Sequence, residues 1–486
     1  MRNEGLGSWP IRRARMSPGR TAMIFGDRST SYAELATRTT KLAAQLRKSG
    51  VTTGDRVAYL GPNHPAFVET MFATQLLGGT FVPLNFRLTA PEIEHSLNDS
   101  GAALLIYAPE CADVVRDRTG PTMVALDPDY ERWLADGSSE PIDVAVSPED
   151  VALILYTSGT TGRPKGAMLT HANLIWNTYN LLIGVDVTSD EVTLISAPLF
   201  HVAALGQTLL PTFIKGGCAV IASTWDVDRC YDLIESHRIT WMFGVSAMFA
   251  ALAQSPRWPT ADLSSLRSLM CGGAAVPESL IRTYQDRGLV FCQGYGLTET
   301  APGATFLEAG ESVRKIGSAG VSVFFGEVRV TEGDCGEVHL RGPQVTPGYW
   351  GNPAATEAAF TEDGWFRTGD IAKLDDDGHL YIVDRIKDMF ISGGENVYPA
   401  EVENAIVEHP AVAEVAVIGV PDEKWGEVGR AFVLCRPGTT LTDAELRRFL
   451  LGRLAKYKIP VYVDVVKDLP RTASGKVQKA ELRRVD

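Results

Sequence analysis

Tyr156-Thr157-Ser158-Gly159-Thr160-Thr161-Gly162-Arg163-Pro164-Lys165-Gly166 follows the apolar run Val151-Ala152-Leu153-Ile154-Leu155. An apolar run that stops at a Gly/Ser/Thr-rich turn reads as a buried strand delivering a loop. Gly159 and Gly162 permit positive φ and close backbone approach, so successive N–H groups can converge on the oxygens of an anion. The hydroxyls of Thr157, Ser158, Thr160 and Thr161 and the ammonium of Lys165 add further donors. An ordinary solvated turn is the competing reading. Against it stand the preceding strand and the unbroken run of donors, which together point to a polyphosphate. The order also differs from a P-loop, where Gly-Lys-Ser/Thr opens a helix directly; here Pro164 and Gly166 flank the lysine.

On either side of this loop the chain alternates short strands with helices, a pattern that implies parallel-type sheets covered by helices. Before it, residues 21–150 include a capped helix from Ser31 to about Lys48 and strands at Arg56–Leu60 and after Gly78-Gly79. After it come a helix from His171 to about Leu182, a strand at 192–196, and further alternation over 208–290, read as a second sheet. From about 313 to 383 the text changes to short strands separated by Gly, Pro and Asp. The last 100 or so residues carry their own alternation, beyond the polar segment Asp384-Arg385-Ile386-Lys387-Asp388. The expected fold is α/β. A large N-terminal domain, 1–384, holds two parallel-type sheets with helices (about 20–312) and a small β-barrel-like subdomain (about 313–383). A hinge at 385–387 leads to a small mobile α+β C-terminal domain, 388–486.

The chain has 486 residues, 45% of them hydrophobic, enough for several cores, and its net charge of −13 disfavours a general nucleic-acid or anionic-membrane surface. Seven scattered cysteines with no Cys-x-x-Cys pair read as reduced thiols without a disulfide frame or zinc site. No apolar stretch has the length of a secretory leader or membrane span, so a cytoplasmic protein without integral membrane association is expected.

Four further constellations carry chemistry. Gln293-Gly294-Tyr295-Gly296-Leu297-Thr298-Glu299 follows an apolar strand and offers an aromatic face, a hydroxyl and a hard oxygen ligand; a packing turn is its ordinary explanation. Arg367-Thr368-Gly369-Asp370 places a carboxylate at a turn, suited to a pair of sugar hydroxyls. Lys476 sits on a Pro/Gly-bounded loop, where a lone lysine is usually just solvated. His201 ends an apolar strand, a place more often filled by a hydrogen-bonded core histidine.

Together these stretches, running in order from about residue 23 to 480, resemble the signatures of the adenylate-forming superfamily of acyl-CoA synthetases, adenylation domains and beetle luciferases. Within it the chain is similar to the feruloyl-CoA (hydroxycinnamoyl-CoA) synthetases of actinobacteria. The resemblance implies a small-molecule carboxylic acid, ATP and coenzyme A as substrates, with Mg²⁺, and no nucleic acid; a homodimer is compatible with it. It implies that ATP and AMP are held by Thr157, Ser158, Gly159, Thr160, Thr161, Gly162 and Lys165, by Gly273, Ala274 and Ala275, by Gln293, Gly294, Tyr295, Gly296 and Thr298, and by Asp370 and Arg385. Glu299 and Thr160 would bind the metal.

Lys476 would act in adenylation, with Lys387 as the hinge and His201 as pocket or gate residue. His201, Ala203, Ala204, Phe243, Gly244, Val245, Gly272, Gly294 and Leu297 would line the acid pocket, where the small Ala203, Ala204, Gly206, Gly244, Gly272 and Gly273 leave volume for a flat ring as readily as for an alkyl chain. Gly393, Gly394, Glu395, Tyr398 and Trp425 would serve coenzyme A. One departure is Ser246, where many relatives carry proline. A medium- or long-chain fatty acyl-CoA synthetase is the alternative, followed by a luciferase-like oxygenase and a non-catalytic nucleotide sensor.

Overall fold

A computed structural model describes residues 2–116, 120–157, 164–273, 276–308, 310–331, 335–392, 395–451, 453–471 and 476–484. The chain divides into two compact units, 1–328 with 340–366, and 329–339 with 367–486.

The first unit contains a seven-stranded sheet in the order Gly348–Tyr349, Lys165–Thr170, Val151–Thr157, Thr80–Leu84, Arg56–Leu60, Ala102–Tyr107, Thr122–Ala125. Its last five strands are parallel, as the alternation implies. Lys165–Thr170, however, returns antiparallel to Val151–Thr157. A parallel return needs a crossover of about a dozen residues, and the seven residues between Thr157 and Lys165 allow only a hairpin.

The nine-stranded sheet runs Val321–Ser322, Thr305–Leu307, Phe291–Tyr295, Ser268–Gly272, Trp241–Gly244, Val192–Ile195, Cys218–Ile221, Thr21–Phe25, Arg28–Ser31. Its centre is parallel and both edges are antiparallel, so both sheets are mixed rather than purely parallel. Thr21–Phe25 belongs to this second sheet, beside Cys218–Ile221, although it comes first in the chain. Pro65–Leu76 is buried at nearly every position, polar residues included, and packs in a core to which strands of both sheets contribute. Its one carboxylate, Glu69, receives a bidentate pair from Arg38 at 2.5 and 3.1 Å and the Tyr130 hydroxyl at 2.6 Å.

The opening Gly5-Leu6-Gly7 packs for steric reasons. A Cβ on Gly5 would lie 2.8 Å from the His171 ring, and one on Gly7 would lie 2.3 Å from the Leu76 backbone nitrogen. The Leu6 N–H donates to His171 Nδ1 at 3.1 Å, and burial pushes this imidazole down to about 4. A base whose folded pKa is depressed stabilises the fold above its unfolded pKa and loses that contribution as pH falls toward the folded value. Urea unfolding should therefore show about 2 kcal/mol less stability at pH 5 than at pH 7. His171→Gln should flatten that slope; an unchanged slope in the variant would assign the pH dependence elsewhere.

The second unit carries residues 367–374 and Leu380–Arg385, which belong to a four-stranded sheet with Glu327–Val330 and Gly336–Arg341, of which 329–330 and 336–339 also fall in this unit. A five-stranded sheet follows, with Glu395–Val397, Phe390–Ser392, Gly426–Cys435 and Val412–Asp422 in order and Tyr462–Val466 paired to Gly426–Cys435. Helices Pro399–Val407 and Asp443–Leu450 cover it through Val402, Ile406, Leu446 and Leu450. The segment 385–387 lies inside this unit, because Arg385 is a cross-strand partner of Asp370.

Candidate active site

The phosphate-type loop is delivered by the hairpin just described, in which Thr157 is the cross-strand partner of Lys165. Ser158, Gly159, Thr160, Thr161 and Gly162 lie outside the described residues, as do Ala274, Ala275, Gly393 and Gly394. Lys165 places its ammonium 5.5 Å from the centre of the Tyr349 ring. Tyr349 in turn donates its hydroxyl to Glu299 Oε1 at 2.8 Å, and the Glu299 carbonyl accepts the Thr346 N–H at 2.7 Å. Nothing in the sequence pattern singled out Tyr349. It lies 50 residues beyond Glu299, on the two-residue strand Gly348–Tyr349 that pairs with Lys165–Thr170.

Glu299 is only 8% exposed and, among the described residues, forms no ion pair. A buried carboxylate held by one neutral phenol suits a hard cation, which would supply the missing charge. Burial first, and the neighbouring Glu299 carboxylate second, push the Tyr349 phenol well above the ordinary tyrosine value, so it stays a hydrogen-bond donor.

Tyr295 ends the strand Phe291–Tyr295, pairs with Thr305, and accepts the Ala304 N–H at its carbonyl at 2.9 Å. Thr298 and Glu299 open a 3₁₀ turn closed by Thr300, whose Oγ1 accepts the Leu297 N–H at 2.9 Å and donates to the Pro302 carbonyl. Gly296 is obligatory here, since a Cβ would lie 1.6 Å from the Pro302 carbonyl oxygen.

Several small residues expected to leave pocket volume instead admit other protein atoms. A Cβ on Gly206 would meet Pro302 and Ala301 at 2.4–2.5 Å, one on Gly244 the Phe249 ring at 3.0 Å, and one on Gly272 the Gly294 carbonyl at 3.2 Å. A Cβ on Gly294 would meet Met270 at 2.7 Å. Gly273 is different: its φ is +86°, and its nearest neighbour is Val245 at 3.7 Å. Ala204, Phe243 and Cys271 are buried, Ala203, Val245 and Leu297 are partly exposed, and Gln293 is 5% exposed. Ser246 lies 3.7 Å from Cys271 Sγ at the start of helix Ser246–Gln254. His201 is partly exposed, immediately precedes the short helix Val202–Ala204 without a side-chain capping bond, and lies with its ring 4.4 Å from that of Phe200.

In the second unit, Arg385 Nε contacts Asp370 Oδ1 at 2.8 Å, and the aspartate is 3% exposed. The Asp370 N–H is held by Thr368 Oγ1 at 3.0 Å, and Gly369 takes φ +71° with its N–H donated to Glu337. Lys476 is exposed as a residue, yet its ammonium is crowded by protein. Desolvation first, and the Arg385 and Lys387 cations after it, hold its pKa below the ordinary lysine value, with Asp370 opposing them. Lys476, Asp370, Arg385 and Lys387 therefore interact within this unit. Phe390–Ser392 pairs antiparallel with Glu395–Val397, and Tyr398 precedes helix Pro399–Val407. Trp425 is 47% exposed, with Lys424 Nζ 4.8 Å from its ring centre. All seven cysteines are free thiols, and no helix among the described residues is long and apolar enough to cross a membrane.

The family model for the AMP-binding enzyme matches residues 11–350, and that for the AMP-binding enzyme C-terminal domain matches 401–476. The chain is 53% identical to a feruloyl-CoA synthase of Amycolatopsis sp, covering 100% of this chain and 99% of that protein. It is 41% identical to an indoleacetate–CoA ligase of Aromatoleum aromaticum, covering 99% and 98%. Its fold matches the o-succinylbenzoate coenzyme A synthetase of Bacillus subtilis in complex with ATP and magnesium ion, with a TM-score of 0.88, 32% identity, and 98% of each chain covered. The glutamate, tyrosine and lysine beside the strand hairpin thus lie within a match that extends over both parts of the protein, and the chain belongs to the AMP-binding enzyme family.

Proposed function

We propose that the protein is an AMP-forming acid–CoA ligase that activates hydroxycinnamic acids such as ferulate. The supporting observation is the 53% identity to feruloyl-CoA synthase along the whole chain. In the first half-reaction a carboxylate oxygen attacks the α-phosphorus of ATP, the bond to the β-phosphate breaks, and pyrophosphate leaves. In the second, the coenzyme A thiol, losing its proton, attacks the acyl carbon and AMP leaves with the pair of electrons of the C–O bond.

Thr157 to Gly162 and Lys165 hold the departing phosphates, Tyr295 stacks on adenine between Gly273–Ala275 and Gln293–Gly296, and Thr298 contacts the α-phosphate. Asp370 accepts from the ribose hydroxyls, with Arg385 beside it fixing the carboxylate. Glu299 is the metal ligand, with Thr160. Mg²⁺, when bound, neutralises phosphate charge and aligns the leaving group. The Tyr349 hydroxyl holds Glu299 in one orientation. Lys476 supplies positive charge where it develops during adenylation. A turn about Lys387 then removes it and presents Gly393, Gly394, Glu395 and Tyr398 to pantetheine, with exposed Trp425 toward the nucleotide end of coenzyme A. His201, Val245, Leu297 and Phe243 bound the ring of the acid.

Purified enzyme with Mg·ATP and coenzyme A should give the highest kcat/KM with ferulate and 4-coumarate among ferulate, 4-coumarate, benzoate, octanoate and palmitate. Preference for octanoate or palmitate would leave the ligase reading standing and overturn the hydroxycinnamate one.

A further inference from the structure

We propose that Asp375, Asp377 and His379 form a binding site for a borderline first-row divalent cation, with Zn²⁺ the ion it fits best. The site lies at the tip of the hairpin joining Phe366–Leu374 to Leu380–Arg385, within the second unit and apart from Glu299 in sequence and in role. The connection Asp375-Asp376-Asp377-Gly378-His379 is closed by the Asp375 N–H to the His379 carbonyl at 3.0 Å and the Gly378 N–H to the Asp375 carbonyl at 2.9 Å. Gly378 takes φ +80°, which turns the chain sharply enough to bring alternate residues together. One ligand atom from each of the three side chains lies within 4.8 Å of the others.

The decisive group is His379. It is 7% exposed, and its Nδ1 is buried with no hydrogen-bond partner. Buried polar nitrogens are nearly always paired, so an orphaned one at the centre of a carboxylate cluster calls for a partner. Nδ1 lies 3.7 Å from Asp375 Oδ1, too far for a hydrogen bond. Two ligands bound to one zinc at about 2.1 Å with tetrahedral angles stand roughly 3.4 Å apart, close to the observed separation. The Asp375 carboxylate is already aimed, because it accepts the N–H groups of Asp377 at 3.0 Å and of His379 at 2.9 Å.

An imidazole with two carboxylates is a mixed nitrogen and oxygen set, which selects Zn²⁺ over Mg²⁺; Mg²⁺ prefers oxygen alone. Three protein ligands leave the fourth position to water. The hairpin so clamped is the one whose other end pairs Asp370 with Arg385. The ion would thus fix the far end of that ladder without touching the reacting groups.

The test uses metal-stripped full-length protein without ATP, titrated with Zn²⁺ by calorimetry and with Co²⁺ as a visible-absorption probe. One ion per chain is expected, with d–d bands and no thiolate charge-transfer band. His379→Gln and Asp377→Asn should each weaken binding at least tenfold. Asp377 is an exposed turn residue, so Asp377→Asn should leave melting in zinc-free buffer unchanged, which keeps the test valid if His379→Gln folds poorly. Zn²⁺ at about one hundred times its Kd should raise the wild-type melting temperature by roughly 3 °C and that of Asp377→Asn by much less. Absence of stoichiometric binding, or binding unchanged in Asp377→Asn, would overturn the proposal, and a thiolate band would assign any zinc to cysteines.

Discussion

Lys476→Ala is expected to lower the rate of acyl-adenylate formation by about 10²–10³-fold while leaving thioester formation from preformed adenylate within a few-fold of wild type. The reason is electrostatic. Negative charge grows on the α-phosphate and on departing pyrophosphate only in the first step, and a cation placed there acts on that transition state alone. The surroundings of Lys476 add a second signature. Desolvation, Arg385 and Lys387 depress its pKa, so the ammonium deprotonates at lower pH than an ordinary lysine. Adenylation should accordingly fall on the alkaline side before a normal lysine would titrate, and Lys476→Arg should push that fall upward or abolish it. Rapid-quench measurement of each half-reaction across pH reads both effects. Equal loss in the two half-reactions would mean that Lys476 supports the fold or the shared nucleotide site.

Glu299→Gln is expected to lower kcat/KM for ATP by about 10²-fold and to raise the Mg²⁺ concentration needed for half-maximal rate. The substitution keeps size and one acceptor for the Tyr349 hydroxyl but removes the buried charge. Tyr349→Phe should cost only about 1 kcal/mol, a factor of five to ten, because it loosens the carboxylate without neutralising it. Steady-state kinetics over a Mg²⁺ series separates the two variants. If Glu299→Gln altered thermal stability but not the Mg²⁺ requirement, the carboxylate would be a packing residue.

Much of this arrangement was legible in the text of the chain. The alternation of short strands and helices announces sheets covered by helices, and turn glycines with hydroxyls announce the loops at strand ends. Asp370 and Arg385, 15 residues apart, were expected to act together, and they are cross-strand partners in one ladder. What escaped has physical causes. The strand Lys165–Thr170 goes unread because the loop chemistry of Lys165 and Gly166 dominates the pattern, although the apolar run 167–169 and the short connection require a returning strand. Thr21–Phe25 joins the sheet distant in sequence, a choice made by tertiary packing rather than local pattern. Tyr349 reaches Glu299 through a strand of two residues, too short to show any period. Small residues of the pocket wall read as volume, whereas a Cβ on Gly206, Gly244 or Gly272 would meet other protein atoms.

The measurement that bears most directly on the two-step chemistry is isotope exchange between pyrophosphate and ATP with Mg²⁺ present and coenzyme A omitted. Exchange that appears on addition of ferulate and disappears in Lys476→Ala is the expected result, since it requires reversible acyl-adenylate formation before any thiol arrives. Feruloyl-CoA production without ferulate-dependent exchange would contradict the adenylate intermediate and with it the roles given to Lys476 and Glu299.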